Sequence, residues 1–112
     1  MYEYRATIVR VIDGDTLEVA VDLGFRIVME QTLRLLGVNA PEMNAPGLEE
    51  RAKAQAAKEF VAGICWPGRV VRIQSHKPRP TDRYGRWLAT ITLPDGCDLT
   101  EQIIAAGHGI RA

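Results

Sequence analysis

From Tyr4 to Leu23 the chain alternates apolar and polar side chains, and the pair Asp13-Gly14 is the main interruption. A period of two is the pattern of a half-buried strand, whose successive side chains point to opposite faces. Tyr4, Ala6 and Ile8, followed by Val9 and Val11, predict a first strand over residues 4–12. Leu17, Val19, Val21 and Leu23, interleaved with Glu18, Ala20 and Asp22, predict a second. Asp13-Gly14 between them reads as a hairpin turn, with glycine supplying a positive φ cheaply. A chain that opens on such a hairpin must bury one sheet face, which commits it to a sandwich or a barrel.

Gly24 ends the second strand, and residues 25–38 read as a long third strand, bent near Glu30-Gln31 and stopped by Pro41. Residues 48–61 are rich in helix formers and follow Asn44-Ala45-Pro46-Gly47. Leu48, Ala52, Ala56, Phe60 and Ile64 share one helical face, with Ala57 and Val61 beside it, so this helix is expected to pack on a core. Gly63 and Pro67-Gly68 stop it. Residues 69–74 and 86–93 predict a fourth and a fifth strand around a Pro- and Arg-rich loop. A short helix over about residues 101–106 completes the order, with Thr100 as N-cap and Gly107 as stop. Five strands with a helix between the third and fourth match the Greek-key barrel called the OB-fold, an α+β domain occupying residues 1–112.

At 112 residues, 46% of them apolar, the chain suits one modest core. It has neither a membrane-length apolar run nor a signal-like start, so a soluble cytoplasmic protein is expected, with export by another route left open. Cys65 and Cys97 lack partner ligands for zinc and are expected as free thiols. The formal net charge is zero, yet residues 1–60 hold seven basic and ten acidic side chains, and residues 61–112 hold seven and four. Between residues 69 and 86, six basic residues (Arg69, Arg72, Lys77, Arg79, Arg83 and Arg86) meet one acid, Asp82. His76 and His108 read as isolated surface residues.

Several charged residues stand where the fold alone does not ask for them. Asp13 suits a turn, whereas Asp15 lies past it and is a reasonable oxygen ligand for a hard cation. Arg34 interrupts the apolar run Leu33, Leu35, Leu36. A partly buried guanidinium needs an anion, either an internal carboxylate or a bidentate phosphate. Glu42 follows Pro41 at a loop mouth, where a carboxylate beside a polarised water could act as general base. Arg86 ends the tight turn Tyr84-Gly85-Arg86, which suits a preorganised donor aimed at developing negative charge.

Three segments, Ile12-Asp13-Gly14-Asp15-Thr16, Leu33-Arg34 through Pro41-Glu42, and Thr81-Asp82-Arg83-Tyr84-Gly85-Arg86-Trp87-Leu88-Ala89, closely resemble the staphylococcal (micrococcal) nuclease, or thermonuclease, family. The likeness runs from about Tyr4 to Gly107. It implies an OB-fold endonuclease that cuts DNA and RNA with Ca2+ and leaves 3′-phosphate ends. It implies Asp15, Asn39 and the Ala40 carbonyl as calcium ligands, and Glu42 as activator of the attacking water. Arg34 and Arg86 would hold the scissile phosphate, and Arg83 and Tyr84 would contact substrate. Single-stranded or frayed nucleic acid is the expected partner, with a monomer favoured over a homodimer.

Two departures from the family pattern bear on these expectations. Asn39 stands where the best-known members place a second calcium-binding aspartate, and a neutral carbonyl there should weaken calcium binding. The family's third helix and base-stacking tyrosines would lie beyond Ala112, so binding should lean on phosphate contacts and fall steeply with salt. The alternative reading is a catalytically weak or inactive nucleic-acid-binding OB module.

Overall fold

The alternation of the first 23 residues folds as expected into a long antiparallel hairpin. In the computed structural model, which describes residues 2–76 and 86–112, β1 spans Tyr2–Asp13 and β2 spans Thr16–Asp22. Ala6 and Ile8 point inward, but the next buried residue is Val11. The ladder shifts between Ile8 and Arg10, so Val9 is the extra residue of a bulge that resets the inward face.

The expected third strand is shorter than its apolar run. Residues Gly24 to Ile27 form a turn, closed by the Ile27 N–H donating to the Gly24 carbonyl at 2.9 Å, and β3 begins only at Val28 and ends at Leu35. Phe25 and Arg26 both take positive φ, at 54° and 61°. This is the geometry of a type I′ turn, normally signalled by Asn-Gly. Phe-Arg hides it among strand formers.

β5 (Val70–Ser75) and β6 (Trp87–Thr92) complete a closed barrel in the order β1-β2-β3-β6-β5. All its neighbours are antiparallel except β3 and β6, which run parallel with Leu33, Arg34 and Leu35 opposite Trp87, Leu88 and Ala89. This is the OB-like α+β barrel expected. A two-residue strand, β4 (Val38–Asn39), pairs with β7 (Ile110–Arg111), an addition no sequence pattern announces.

α1 (Leu48–Ile64) lies between β4 and β5. Its buried residues are Ala54, Ala57 and Val61, so the helix is rotated from the face expected, and Leu48, Ala52 and Ala56 face solvent. Alanines at the contact let the helix axis approach the barrel closely, whereas a leucine face would hold it off. Gly63 lies inside α1 rather than ending it. α2 runs Leu99–Ala105, two residues earlier than expected, because the Asp98 side chain accepts from the Thr100 N–H at 2.8 Å and is the N-cap. Its end follows the expectation. The Gly107 and His108 N–H groups donate to the Ile104 and Ile103 carbonyls, and Gly107 takes φ 79°, a Schellman stop. Leu17, Val19, Leu35, Val61, Ile91, Leu99 and Ile103 form the centre of the core. Both cysteines are free, Cys65 buried and Cys97 exposed. No helix among the described residues is long and apolar enough to cross a membrane.

Candidate active-site cleft

The turn joining β1 to β2 is held by close packing. Gly14 does not adopt a positive φ, contrary to the expectation for this glycine. It is required by space, since a Cβ there would stand 2.8 Å from the Ala57 Cβ and 2.9 Å from the Ala40 Cβ. The turn is thus wedged between α1 and the residue that follows β4.

That packing delivers Asp15, which occupies the turn itself and is buried. Its backbone carbonyl accepts from the Leu35 N–H at 2.8 Å. Carboxylate Oδ2 accepts from the Ala40 N–H at 2.9 Å, and Oδ1 accepts from the Thr16 hydroxyl at 3.0 Å. One residue, through its backbone carbonyl and its carboxylate, therefore ties the turn to Leu35 and to Ala40.

Arg34 lies opposite Thr16 across the β2–β3 ladder. Its Nη1 donates to the Leu35 and Val38 carbonyls, both at 2.7 Å, and its Nη2 donates to Asn39 Oδ1. Nη2 also stands 3.4 Å from Asp15 Oδ2, with both side chains largely buried. Of the two anions expected for this guanidinium, the structure shows the internal carboxylate. Arg86, at the entry to β6, donates from Nη1 to the Thr16 hydroxyl at 3.2 Å. A continuous polar chain results, Arg86 to Thr16 to Asp15 to Arg34 to Asn39, joining residues 70 positions apart in sequence.

Beside this chain opens a cleft of about 650 Å³ lined by Asp13, Glu42, Asn44, Lys58 and Arg86 with Ile12 and Met43. Burial raises the Asp13 carboxyl above the ordinary aspartate range. Repulsion from Asp15 and Glu42 raises it further, while Lys58 and Arg86 act in the opposite direction.

Asp15, Arg34, Asn39, Ala40, Glu42 and Arg86, drawn from separate stretches, therefore meet at one end of the barrel. Arg83 and Tyr84 lie outside the described residues. Thr16, in the polar chain, and Lys58, in the cleft wall, are charged or polar residues to which sequence reasoning assigned no role. Thr16 sat inside a quoted motif without a role, and Lys58 was hidden by the misjudged helix face.

The donor set fits a hard cation in chemistry though not in abundance. Asp15 offers a carboxylate and Asn39 a carbonyl, both already directed at the same positive nitrogen of Arg34, and crowded carboxylates leave negative potential nearby. Among the described residues, no three Asp, Glu, His or Cys side chains group to hold an ion between them.

Comparison with known proteins places this geometry in context. The family described as "Staphylococcal nuclease homologue" matches residues 32–111. The chain is 34% identical over 89 residues to "Protein ParB" of Escherichia coli, covering 80% of this chain and 42% of that protein. It is 35% identical over 91 residues to the "Thermonuclease" of Staphylococcus hyicus, covering 81% and 50%. It is 32% identical over 105 residues to an "Uncharacterized endonuclease" of Escherichia coli O157:H7, covering 94% and 59%. The chain thus spans about half the length of the curated relatives it matches. With the family match extending over most of its residues, and with the barrel and clustered charges described above, the chain belongs to the staphylococcal nuclease homologue family.

Proposed function

We propose that this chain is a metal-dependent endonuclease that hydrolyses phosphodiesters of single-stranded or frayed DNA and RNA with little sequence preference. The observation that carries the reading is the polar chain from Arg86 through Thr16 and Asp15 to Arg34, set against a cleft that also presents Glu42. Names of relatives support it, two of which are nucleases by title.

In this reading Glu42 takes a proton from a water as the water oxygen attacks phosphorus in line with the departing 5′ oxygen. That oxygen takes a proton from solvent and leaves as a 5′-hydroxyl, with a 3′-phosphate on the other fragment. Arg86 donates to the equatorial phosphate oxygens, where charge accumulates in the transition state. Its bond to Thr16 sets the direction of the guanidinium. Three N–H groups of Arg34 are bonded within the protein, so its first role is to hold Asp15 and Asn39 in place, with any remaining donor facing substrate. Asp15, Asn39 and the Ala40 carbonyl would hold Ca2+. When bound, it supplies Lewis-acid polarisation and offsets phosphate charge.

The test is digestion of denatured plasmid across divalent ions against a chelator, with Glu42→Gln as control. Cation-dependent cleavage that Glu42→Gln reduces by at least about a hundredfold is expected. Equal activity in chelator, or full activity in Glu42→Gln, would reject this mechanism. A second reading, a binding module without turnover, is favoured by Asn39 and by the internal commitment of Arg34. It predicts oligonucleotide binding with no cleavage under any divalent ion.

A further inference from the structure

The outer faces of the barrel strands differ in charge. On β2 and β3, Glu18 lies opposite Thr32, Ala20 opposite Glu30, and Asp22 opposite Val28, an acidic surface on which Arg10 pairs with Glu18 at 3.3 Å. On the adjoining strands β1, β5 and β6, the outward positions include Glu3, Arg5, Val70, Arg72, Gln74, Thr90 and Thr92, two cations and one acid. His76 reaches the Thr90 hydroxyl at 3.4 Å.

Arg5 and Arg72 are directly opposed across the β1–β5 ladder. Like charges in that relation destabilise a sheet. Glu3 answers Arg72 at 3.2 Å, but both side chains are more than half exposed, so the pair is well solvated. The two arginines flank a groove of about 240 Å³ whose walls include Val70, Thr92, Pro94 and Gly96. Arg69, just before β5, lies with its guanidinium 4.2 Å from the ring centre of half-exposed Trp66 and donates to the Ile64 carbonyl at 2.6 Å. The Asp95 carboxylate is nearby but accepts from the Cys97 N–H at 3.0 Å within its own turn.

From this arrangement we infer that the Arg5–Arg72 groove is a second nucleic-acid subsite. It holds backbone phosphates of a single strand, and Trp66, stiffened by Arg69, is a platform for a base. A positive groove with an aromatic beside it is the pairing that single-strand binding uses. The inference rests on the proposed reading of the cleft as a phosphodiester site. Arg86 enters β6 and Thr92 ends it, so the two sites are about 20 Å apart at strand rise. A strand of four or more nucleotides, the usual span on such a barrel, reaches both. The acidic β2–β3 face turns the strand away from the alternative route.

The experiment compares wild type with Arg5→Gln/Arg72→Gln by fluorescence anisotropy, in chelator, using oligothymidylates of two and of ten residues. The variant should bind the ten-mer about tenfold more weakly, while the dinucleotide, too short to span both sites, should bind weakly to either protein. The salt slope for the ten-mer should fall by about 1.4, the value for two single-strand phosphate contacts. Arg5→Glu is the second variant, because it can pair with Arg72 and so preserve the fold while neutralising the groove, and it should show the same loss. Unchanged ten-mer affinity in both variants overturns the proposal. Preferential binding of poly-glutamate also overturns it, in favour of an acidic protein partner. Arginine-dependent ten-mer binding without cleavage under any divalent ion supports the groove and rejects the nuclease reading.

Discussion

Replacing Arg34 by methionine tests the claim that this residue organises the cleft. Methionine keeps the apolar stem of the side chain but removes three hydrogen bonds and the ion pair to Asp15. Hydrogen bonds from a charged donor contribute about 1.5–3 kcal/mol each, so a simple sum would reach several kcal/mol. That sum overcounts, since the guanidinium also loses hydration on burial. Removing one partner of a buried ion pair costs about 3–5 kcal/mol, and this is the expected destabilisation. A domain of 112 residues is typically stable by about 6–17 kcal/mol, so the variant should remain folded but unfold at clearly lower urea. Arg34→Lys should recover only part of the loss, because one ammonium cannot span the Leu35, Val38 and Asn39 oxygens. A double-mutant cycle with Asn39→Ala isolates the Nη2 to Oδ1 bond and should give a coupling of at least about 0.5 kcal/mol. Urea titration followed by tryptophan fluorescence reads the four proteins of the cycle and Arg34→Lys. A loss under about 1 kcal/mol for Arg34→Met with no coupling to Asn39 would mean that Arg34 behaves as a surface charge, and the account of the cleft would fail.

Asn39→Asp should lower the calcium concentration needed for activity, since a second carboxylate replaces a neutral oxygen, and titration calorimetry with calcium alone checks it. Gly14→Ala should cost about 1–3 kcal/mol in thermal or urea unfolding, because the Cβ atoms of Ala40 and Ala57 cannot rotate away from the new methyl. Replacing Phe25-Arg26 by Asn-Gly should stabilise the hairpin by about 1 kcal/mol, since both positions take positive φ. Burial pushes the Cys65 thiol up to about 11. The unfolded chain therefore loses that proton first, and stability should decline as pH rises from about 9 to about 11, a slope absent in Cys65→Ala. At pH 8 a thiol reagent should label exposed Cys97 quickly and Cys65 only on unfolding.

What could be read from the residues followed the strength of the local pattern. β1 and β2 were legible because each is half-buried and shows its period of two, even across the bulge at Val9. The start of β3 was not, because a type I′ turn built from Phe25 and Arg26 carries none of the usual turn chemistry. The helix was legible in extent and misread in orientation. Leu48 drew the apolar face toward itself at the helix start, whereas Phe60 packs on the core as expected and Gly14 needs the small surface of Ala57. In the cleft, Asp15, Arg34, Glu42 and Arg86 stood out as charges where apolar or turn residues would serve. Thr16 did not, because its importance lies in receiving Arg86 from the far end of the chain, a relation only the parallel β3–β6 pairing creates. Lys58 went with the misoriented helix.

A net charge of zero is a poor recommendation for the proposed handling of a polyanion, but the sum conceals the distribution. Fields between exposed charges decay over about 8 Å in physiological salt, so surfaces about 20 Å apart act separately. Among the described residues, the cleft sets Asp13, Asp15 and Glu42 against Arg34, Lys58 and Arg86 and is close to neutral by itself. A phosphate entering it gains little from the chain's charge alone. Its attraction has to come from a cation held by Asp15 and Asn39 or from positive charge further along the strand. Arg5, Arg69 and Arg72 supply the latter at the other end of β6, which is why capture and cleavage should respond to different substitutions. Losing the groove should raise the substrate concentration needed for half-maximal rate on long strands, and losing Glu42 should lower the maximal rate at any length.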